Sequence, residues 1–174
     1  MWQFIGLALF LGLLAILQLI WPWPLPGLNT APALLLLSGS LVLFRMPLGR
    51  LYVWLLLLAA GFDLLLGDGP YCLLGYAMTL MPAFLRPVSE HIPGWLPSLG
   101  WMLGSVLLFD LILAMLSSFR GPGAWPMLLH HLPWTLAYNL LAALLLLPIT
   151  GGLISLLHYQ RFEYLKEARR GKLG

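Results

Sequence analysis

Charged side chains are scarce in this sequence. Only 9% of its 174 residues are Asp, Glu, Lys or Arg, whereas 61% are hydrophobic and the mean hydropathy is +0.93. A soluble domain carries roughly 25% charged residues, so this chain has too little polar surface to enclose a water-soluble globule. We therefore expect a membrane protein.

Cysteine and other metal-binding residues are also few. Cys72 is the only cysteine, which excludes an internal disulfide, and the four histidines lack the spacing of a structural metal site. We expect neither a metal nor a cofactor. Nine basic residues against six acidic ones are too few and too dispersed for a nucleic-acid-binding face.

Long apolar runs recur along the chain and are separated by joints rich in proline and glycine. Several runs approach the ~20 residues of a helix that crosses a bilayer, and the joints end helices for steric reasons. The pattern predicts an all-α, polytopic membrane protein with one six-helix transmembrane domain over residues 1–158 and a basic tail over 159–174. The predicted spans are residues 2–21, 28–44, 51–66, 71–85, 98–119 and 127–158.

The basic residues predict the orientation of these spans, since short basic loops stay in the cytoplasm. With the N-terminus inside, the outer loops hold only Arg120. The inner segments then hold the other eight basic residues: Arg45, Arg50, Arg86, Arg161, Lys166, Arg169, Arg170 and Lys172. We expect both termini to be cytoplasmic.

Two aspartates fall inside predicted spans, where an ionisable side chain is a functional-site hypothesis by default. Asp63 and Asp110 are each the thirteenth residue of an outward-running span, so we expect them to share a depth and to face the bundle interior. His131, Thr135 and Tyr138 form a stripe on the sixth span that offers them partners. Three interpretations stay open: a hydrogen-bonded network that locks the helices, proton or ligand handling, and hydrolytic chemistry.

Small residues mark three faces where helices could pack closely. Gly100 and Gly104 form a GxxxG motif that serves an internal helix or a partner, and Gly6 and Gly12 lie on the first helix. Gly67 follows Asp63 by one turn of helix, on the same side of its span. Gly100 with Gly104 and Gly6 with Gly12 are two alternative partner faces, between which the sequence does not choose.

The segment after His158 combines basic and aromatic residues. Juxtamembrane basic side chains attract anionic lipid at about 1 kcal/mol each. The segment serves as a topology signal, as a docking element for a cytoplasmic protein, or as both. Its basic residues are Arg161, Lys166, Arg169, Arg170 and Lys172, against Glu163 and Glu167.

Three segments together resemble the MreD family of rod-shape-determining membrane proteins. They are the Pro-Trp-Pro turn at 22–24 with Thr-Ala-Pro-Ala-Leu at 30–34, the run Gly-Phe-Asp-Leu-Leu-Leu-Gly at 61–67 with Leu-Gly-Tyr-Ala-Met at 74–78, and Leu-Leu-Phe-Asp-Leu-Ile at 107–112. Asp63, Gly67, Gly75 and Asp110 match recurring positions of that family. The connection at 68–72 departs from the family's usual small-polar one.

The resemblance implies a non-catalytic component of the bacterial cell-wall elongation machinery in the inner membrane. It implies binding to the single-span protein MreC and links to MreB, RodA and a class B penicillin-binding protein. It also implies a fold similar to the substrate-binding components of energy-coupling-factor vitamin transporters, and such a component is the alternative function. An intramembrane aspartyl protease is a third hypothesis, but the Gly-x-Gly-Asp loop of those enzymes is missing from the sequence.

Overall fold

The computed structural model describes residues 2–21, 33–45, 49–66, 70–81, 96–119 and 124–170, with side chains between residues 4 and 157 of those ranges. The described residues form six helices and no strand, which confirms the all-α prediction. The helices are α1 (Trp2–Leu19), α2 (Leu34–Arg45), α3 (Gly49–Leu66), α4 (Tyr71–Leu80), α5 (Leu96–Ser118) and α6 (Ala124–Arg170).

Three helical segments are long and apolar enough to cross a membrane: Gly49–Leu66, Leu96–Ser118 and Trp125–Leu157. The apolar helices Phe4–Leu19, Leu34–Arg45 and Tyr71–Leu80 are shorter. At 1.5 Å per residue, α2 and α4 are about 18 and 15 Å long, well below the ~30 Å of a hydrocarbon core. The six predicted helices are therefore present in order, but only three of them reach the length of a span within the described residues.

Helix α2 lies at the core of the bundle. Every residue from Leu34 to Leu43 is buried, and α2 packs against each of the other five helices. Its sequence, Leu-Leu-Leu-Leu-Ser-Gly-Ser-Leu-Val-Leu, is apolar or small on all sides, as expected of a helix that is enclosed by others. The other helices thus surround a short central helix.

The outer surface of the bundle is apolar. Leu64, Leu65 and Leu145 are 84%, 71% and 70% exposed, and many other large hydrophobic side chains also point outward. Soluble monomers rarely expose contiguous apolar patches above a few hundred Å². Such an exterior suits contact with lipid chains, in agreement with the three membrane-length helices.

Helix α6 runs past the end of the predicted sixth span. It continues for 47 residues to Arg170 and contains Pro133 and Pro148, whereas the predicted span ended at His158. Hydropathy marks where the apolar stretch stops, but Gln, Glu, Lys, Arg and Ala also favour helix. The pairs Glu163 with Lys166 and Glu167 with Arg170 add favourable spacings. The basic segment is therefore a continuation of the helix.

Candidate functional site

Asp63 caps the first turn of α4. Its two carboxylate oxygens accept hydrogen bonds from the backbone N–H groups of Cys72 and Leu73, at 2.8 and 2.9 Å. The residue at the start of α4, Pro70, supplies no side-chain cap, so the free amides of the first turn need another acceptor. A carboxylate at a helix N-terminus also suits the helix dipole. Asp63, in the last turn of α3, thus fixes the α3–α4 hairpin.

The N-terminus of α2 is capped in the same way by two amide side chains from other helices. The Ala33 N–H donates to Asn139 Oδ1 at 2.8 Å, and the Leu35 N–H donates to Gln18 Oε1 at 3.1 Å. Because α2 is short and enclosed, its first amides have no water to bind, and an unpaired amide in such a place is costly. Gln18 and Asn139 were not predicted as caps from the sequence. The available signal was the presence of two amide side chains within apolar runs.

Asp110 differs from Asp63 although the sequence presents them alike. Asp110 is half-buried on α5. Its Oδ2 atom is buried and has no hydrogen-bond partner in the part of the chain that the structure describes. Nearby, Phe109 packs edge-on against Tyr76 with ring centroids 5.1 Å apart. The structure gives Asp110 no role in holding a helix end.

The three α6 residues of the predicted network lie in separate contacts. Tyr138 accepts a hydrogen bond from Trp21 Nε1. The backbone carbonyl of Thr135 accepts a hydrogen bond from Asn139 Nδ2 at 2.9 Å. The His131 ring lies beside the His130 ring, with ring centroids 4.9 Å apart. Among the described residues, no hydrogen bond links either aspartate to these three residues. Within the described residues, these polar groups therefore make separate contacts and do not converge on one centre.

This difference predicts unequal effects of two isosteric substitutions. Asp110→Asn removes a carboxylate that has no described partner. The midpoint of thermal unfolding in detergent should therefore rise, or should fall by no more than the shift that ~0.5 kcal/mol produces. The same change at Asp63 weakens a cap and should lower that midpoint. A large loss of stability in Asp110→Asn would show that its carboxylate makes an essential contact.

Among the described glycines that the sequence singled out, one is tightly packed and four are open. Gly75 is buried on α4, and a Cβ atom there would overlap the Phe109 ring. A Cβ at Gly6, Gly12, Gly100 or Gly104 would meet nothing within 4 Å. The GxxxG motif of α5 therefore does not pack against another described helix of this chain. Gly67 lies outside the described residues.

A shallow apolar groove lies beside this open face, between α5 and α6. It has a volume of about 300 Å³ and is lined by Leu103, Gly104, Leu107, Leu136, Ala137 and Leu140. The absent side chain of Gly104 and the single methyl of Ala137 leave the space open. Small residues of this kind let a further helix approach closely.

The Asp63 carboxylate is engaged in capping α4. Both oxygens of Asp63 are used by backbone amides, and no group of three or more His, Cys, Asp or Glu within the described ranges could hold a metal ion. Four basic residues of the predicted tail, Arg161, Lys166, Arg169 and Arg170, fall on the helical backbone of α6. Lys172 lies outside the described residues.

Comparison of the chain with family models, with curated proteins and with solved structures gives no match.

Proposed function

We propose that this chain is a non-catalytic scaffold of the bacterial inner membrane, with both termini in the cytoplasm, that binds a single-span partner along the α5–α6 groove. By its resemblance to the MreD family, the partner is MreC and the assembly is the cell-wall elongation complex with MreB, RodA and a class B penicillin-binding protein. Six bundled helices, including the short α1, α2 and α4, make up its membrane domain.

The groove is the observation that carries this proposal. Helices do not associate in lipid by hydrophobic drive, because lipid tails are as apolar as leucine; they associate where small residues allow close packing. Gly100 and Gly104 are exposed, and Gly104 and Ala137 line the groove. An open small-residue face beside a groove suits a helix from another chain.

The polar residues support a structural rather than a chemical role. Asp63, Gln18 and Asn139 each satisfy backbone amides at the start of a short helix. A vitamin-binding pocket would need several convergent polar groups, whereas none of the residues that line the groove has a polar side chain. The vitamin-transporter alternative therefore gains no support from these contacts.

Filling the groove should abolish partner binding without unfolding the chain. Ala137→Leu adds three carbon atoms at an exposed position, so we expect the bundle to keep its stability while the partner helix loses its close approach. Loss of a packed small-residue contact should lower the amount of MreC that copurifies by about tenfold. The measurement is quantitative immunoblotting of MreC retained by the tagged chain in mild detergent.

Gly6→Leu is the matched control, because Gly6 is exposed on α1 with open space around it. It should leave MreC recovery unchanged. If instead Gly6→Leu removes MreC and Ala137→Leu does not, the partner lies on the α1 face and the groove assignment is wrong.

A further inference from the structure

Asp110 carries an unsatisfied carboxyl group inside a membrane-length helix. It lies on α5, roughly 12 Å from the end of that helix at Ser118. Its Oδ2 atom is buried, and no described residue donates a hydrogen bond to that atom. Lipid chains have no donor to offer, so the carboxyl group carries a desolvation cost that nothing in the described part of the chain offsets.

Asp110 lies on the border between the buried side of α5 and the α5–α6 groove. Val106, four residues earlier, is buried, whereas Leu103 and Leu107 line the groove. Residues at i, i+4 and i+7 share one side of a helix, so Asp110 continues the stripe of Leu103 and Leu107. It is partly exposed and lies about 4.5 Å along the axis beyond Leu107. The carboxyl group therefore marks the end of the groove that is nearer to Ser118.

This position gives the groove a polar end, since none of the residues that line it has a polar side chain. Apolar contacts alone let a helix bind in several registers, because a slide by one turn replaces one set of methyl groups with another. A polar side chain in a helical interface fixes the register, because only one arrangement pairs it. Polar and ionisable side chains within membrane spans accordingly pair with groups on neighbouring helices. A helix bound in the groove comes within reach of the Asp110 carboxyl group.

We infer that the span of the partner carries a hydrogen-bond donor that meets the Asp110 carboxyl group. The donor is the side chain of a Ser, Thr, Asn, Gln, Lys or Arg, and it lies about one helical turn beyond the partner residue that packs against Leu107. The inference rests on the proposed function, because it requires the span of MreC to occupy the groove. It adds the chemical feature by which that span is recognised and held in register.

Removal of the carboxyl group tests this inference from the side of this chain. Asp110→Ala should lower the amount of MreC that the tagged full chain retains in mild detergent by about fivefold, the loss expected for one hydrogen bond between membrane helices. Asp110→Asn keeps an oxygen acceptor at the same place and should lose less. The unfolding midpoint of each variant, measured without MreC, should stay close to that of the unaltered chain, because the buried oxygen has no described partner.

A double-mutant cycle tests the inference from the side of the partner. Each Ser, Thr, Asn, Gln, Lys and Arg in the span of MreC is replaced singly by Leu, and retention is measured with the unaltered chain and with Asp110→Ala. One replacement should lower retention by about fivefold with the unaltered chain and should have no further effect with Asp110→Ala. A purely structural role of Asp110 would give losses that add.

Full retention of MreC by Asp110→Ala, additive losses at every position of the span, or a span with no donor side chain would each overturn the inference. A lowered unfolding midpoint of Asp110→Ala without MreC would also overturn it, since the carboxyl group would then have its partner within the chain. Ala137→Leu in the same assay separates the inference from the proposed function. If Ala137→Leu depletes MreC and Asp110→Ala does not, the scaffold proposal stands and the donor inference fails. If the unaltered chain retains no MreC, the proposed function fails and the inference fails with it.

Discussion

Asp63→Ala is expected to lower the stability of the protein by about 3 kcal/mol, since it leaves the partly buried amides of Cys72 and Leu73 without their carboxylate acceptors. An unsatisfied donor costs about 1–3 kcal/mol, and bonds to a charged acceptor are the stronger class. For a chain of this size the loss corresponds to a fall in the unfolding midpoint on the order of 10 °C. The measurement is thermal unfolding in detergent, monitored as the fraction of the protein that stays monodisperse.

Two further variants show whether capping is the cause. Asp63→Asn keeps one oxygen acceptor and should lose about half as much stability as Asp63→Ala. Asp110→Ala is the matched control for the loss of a carboxylate on a membrane-length helix, and it should lose little. Equal losses at Asp63 and Asp110 would mean that the carboxylates act through something other than the α4 cap.

Gly75→Leu should destabilise the bundle even more clearly, because a side chain at that position collides with the Phe109 ring. Overpacking of a packed interior costs about 1–3 kcal/mol for small insertions and more for large ones. Gly75→Ala should therefore cost less than Gly75→Leu, and improved helix propensity of up to about 1 kcal/mol should partly offset it. Expression level and the unfolding midpoint in detergent measure both effects.

A double-mutant cycle isolates the contact between α4 and α5. Phe109→Leu with Gly75→Ala should recover part of the stability that Gly75→Ala loses, because the smaller side chain makes room for the added methyl group. Gly100→Ala provides the control at an open position and should be neutral or stabilising. Additive losses in the double variant would argue against the Gly75–Phe109 contact.

The order of helices follows from the sequence because apolar runs and their proline and glycine joints are local signals. The predicted third span, 51–66, lies within α3 (Gly49–Leu66) and shares its C-terminal end. The prediction and the structure differ most at the end of α6. The polar residues after His158 continue the helix to Arg170 although the apolar stretch has ended. Hydropathy therefore located the membrane segment but not the helix terminus.

The candidate site could be predicted only in part, since its contacts join residues that are distant in the chain. Asn139 caps α2 from 106 positions away, and no local pattern indicates that pairing. Asp63 and Asp110 have similar apolar surroundings in sequence, yet only Asp63 lies one helical turn before a connection that brings α4 back beside it. A helix that starts at a proline and lacks its own cap was the local clue to Asp63.

These contacts give a consistent physical account of the molecule. Short α2 and α4 are enclosed or flanked by longer helices, and polar side chains from those helices accept hydrogen bonds from amides at their N-termini. The Asp63 carboxylate and the Gln18 and Asn139 amides cap helices, whereas the small-residue face on α5 is left open. We propose that this face, rather than any polar centre, performs the function by holding a partner helix.

The most direct measurement of this account is quantitative mass spectrometry of the proteins that the tagged full chain retains in mild detergent, compared with the Ala137→Leu variant. The account predicts that MreC is enriched with the unaltered chain and depleted with the variant. Consistent recovery of a transporter ATPase module in place of MreC, unaffected by the variant, would contradict it.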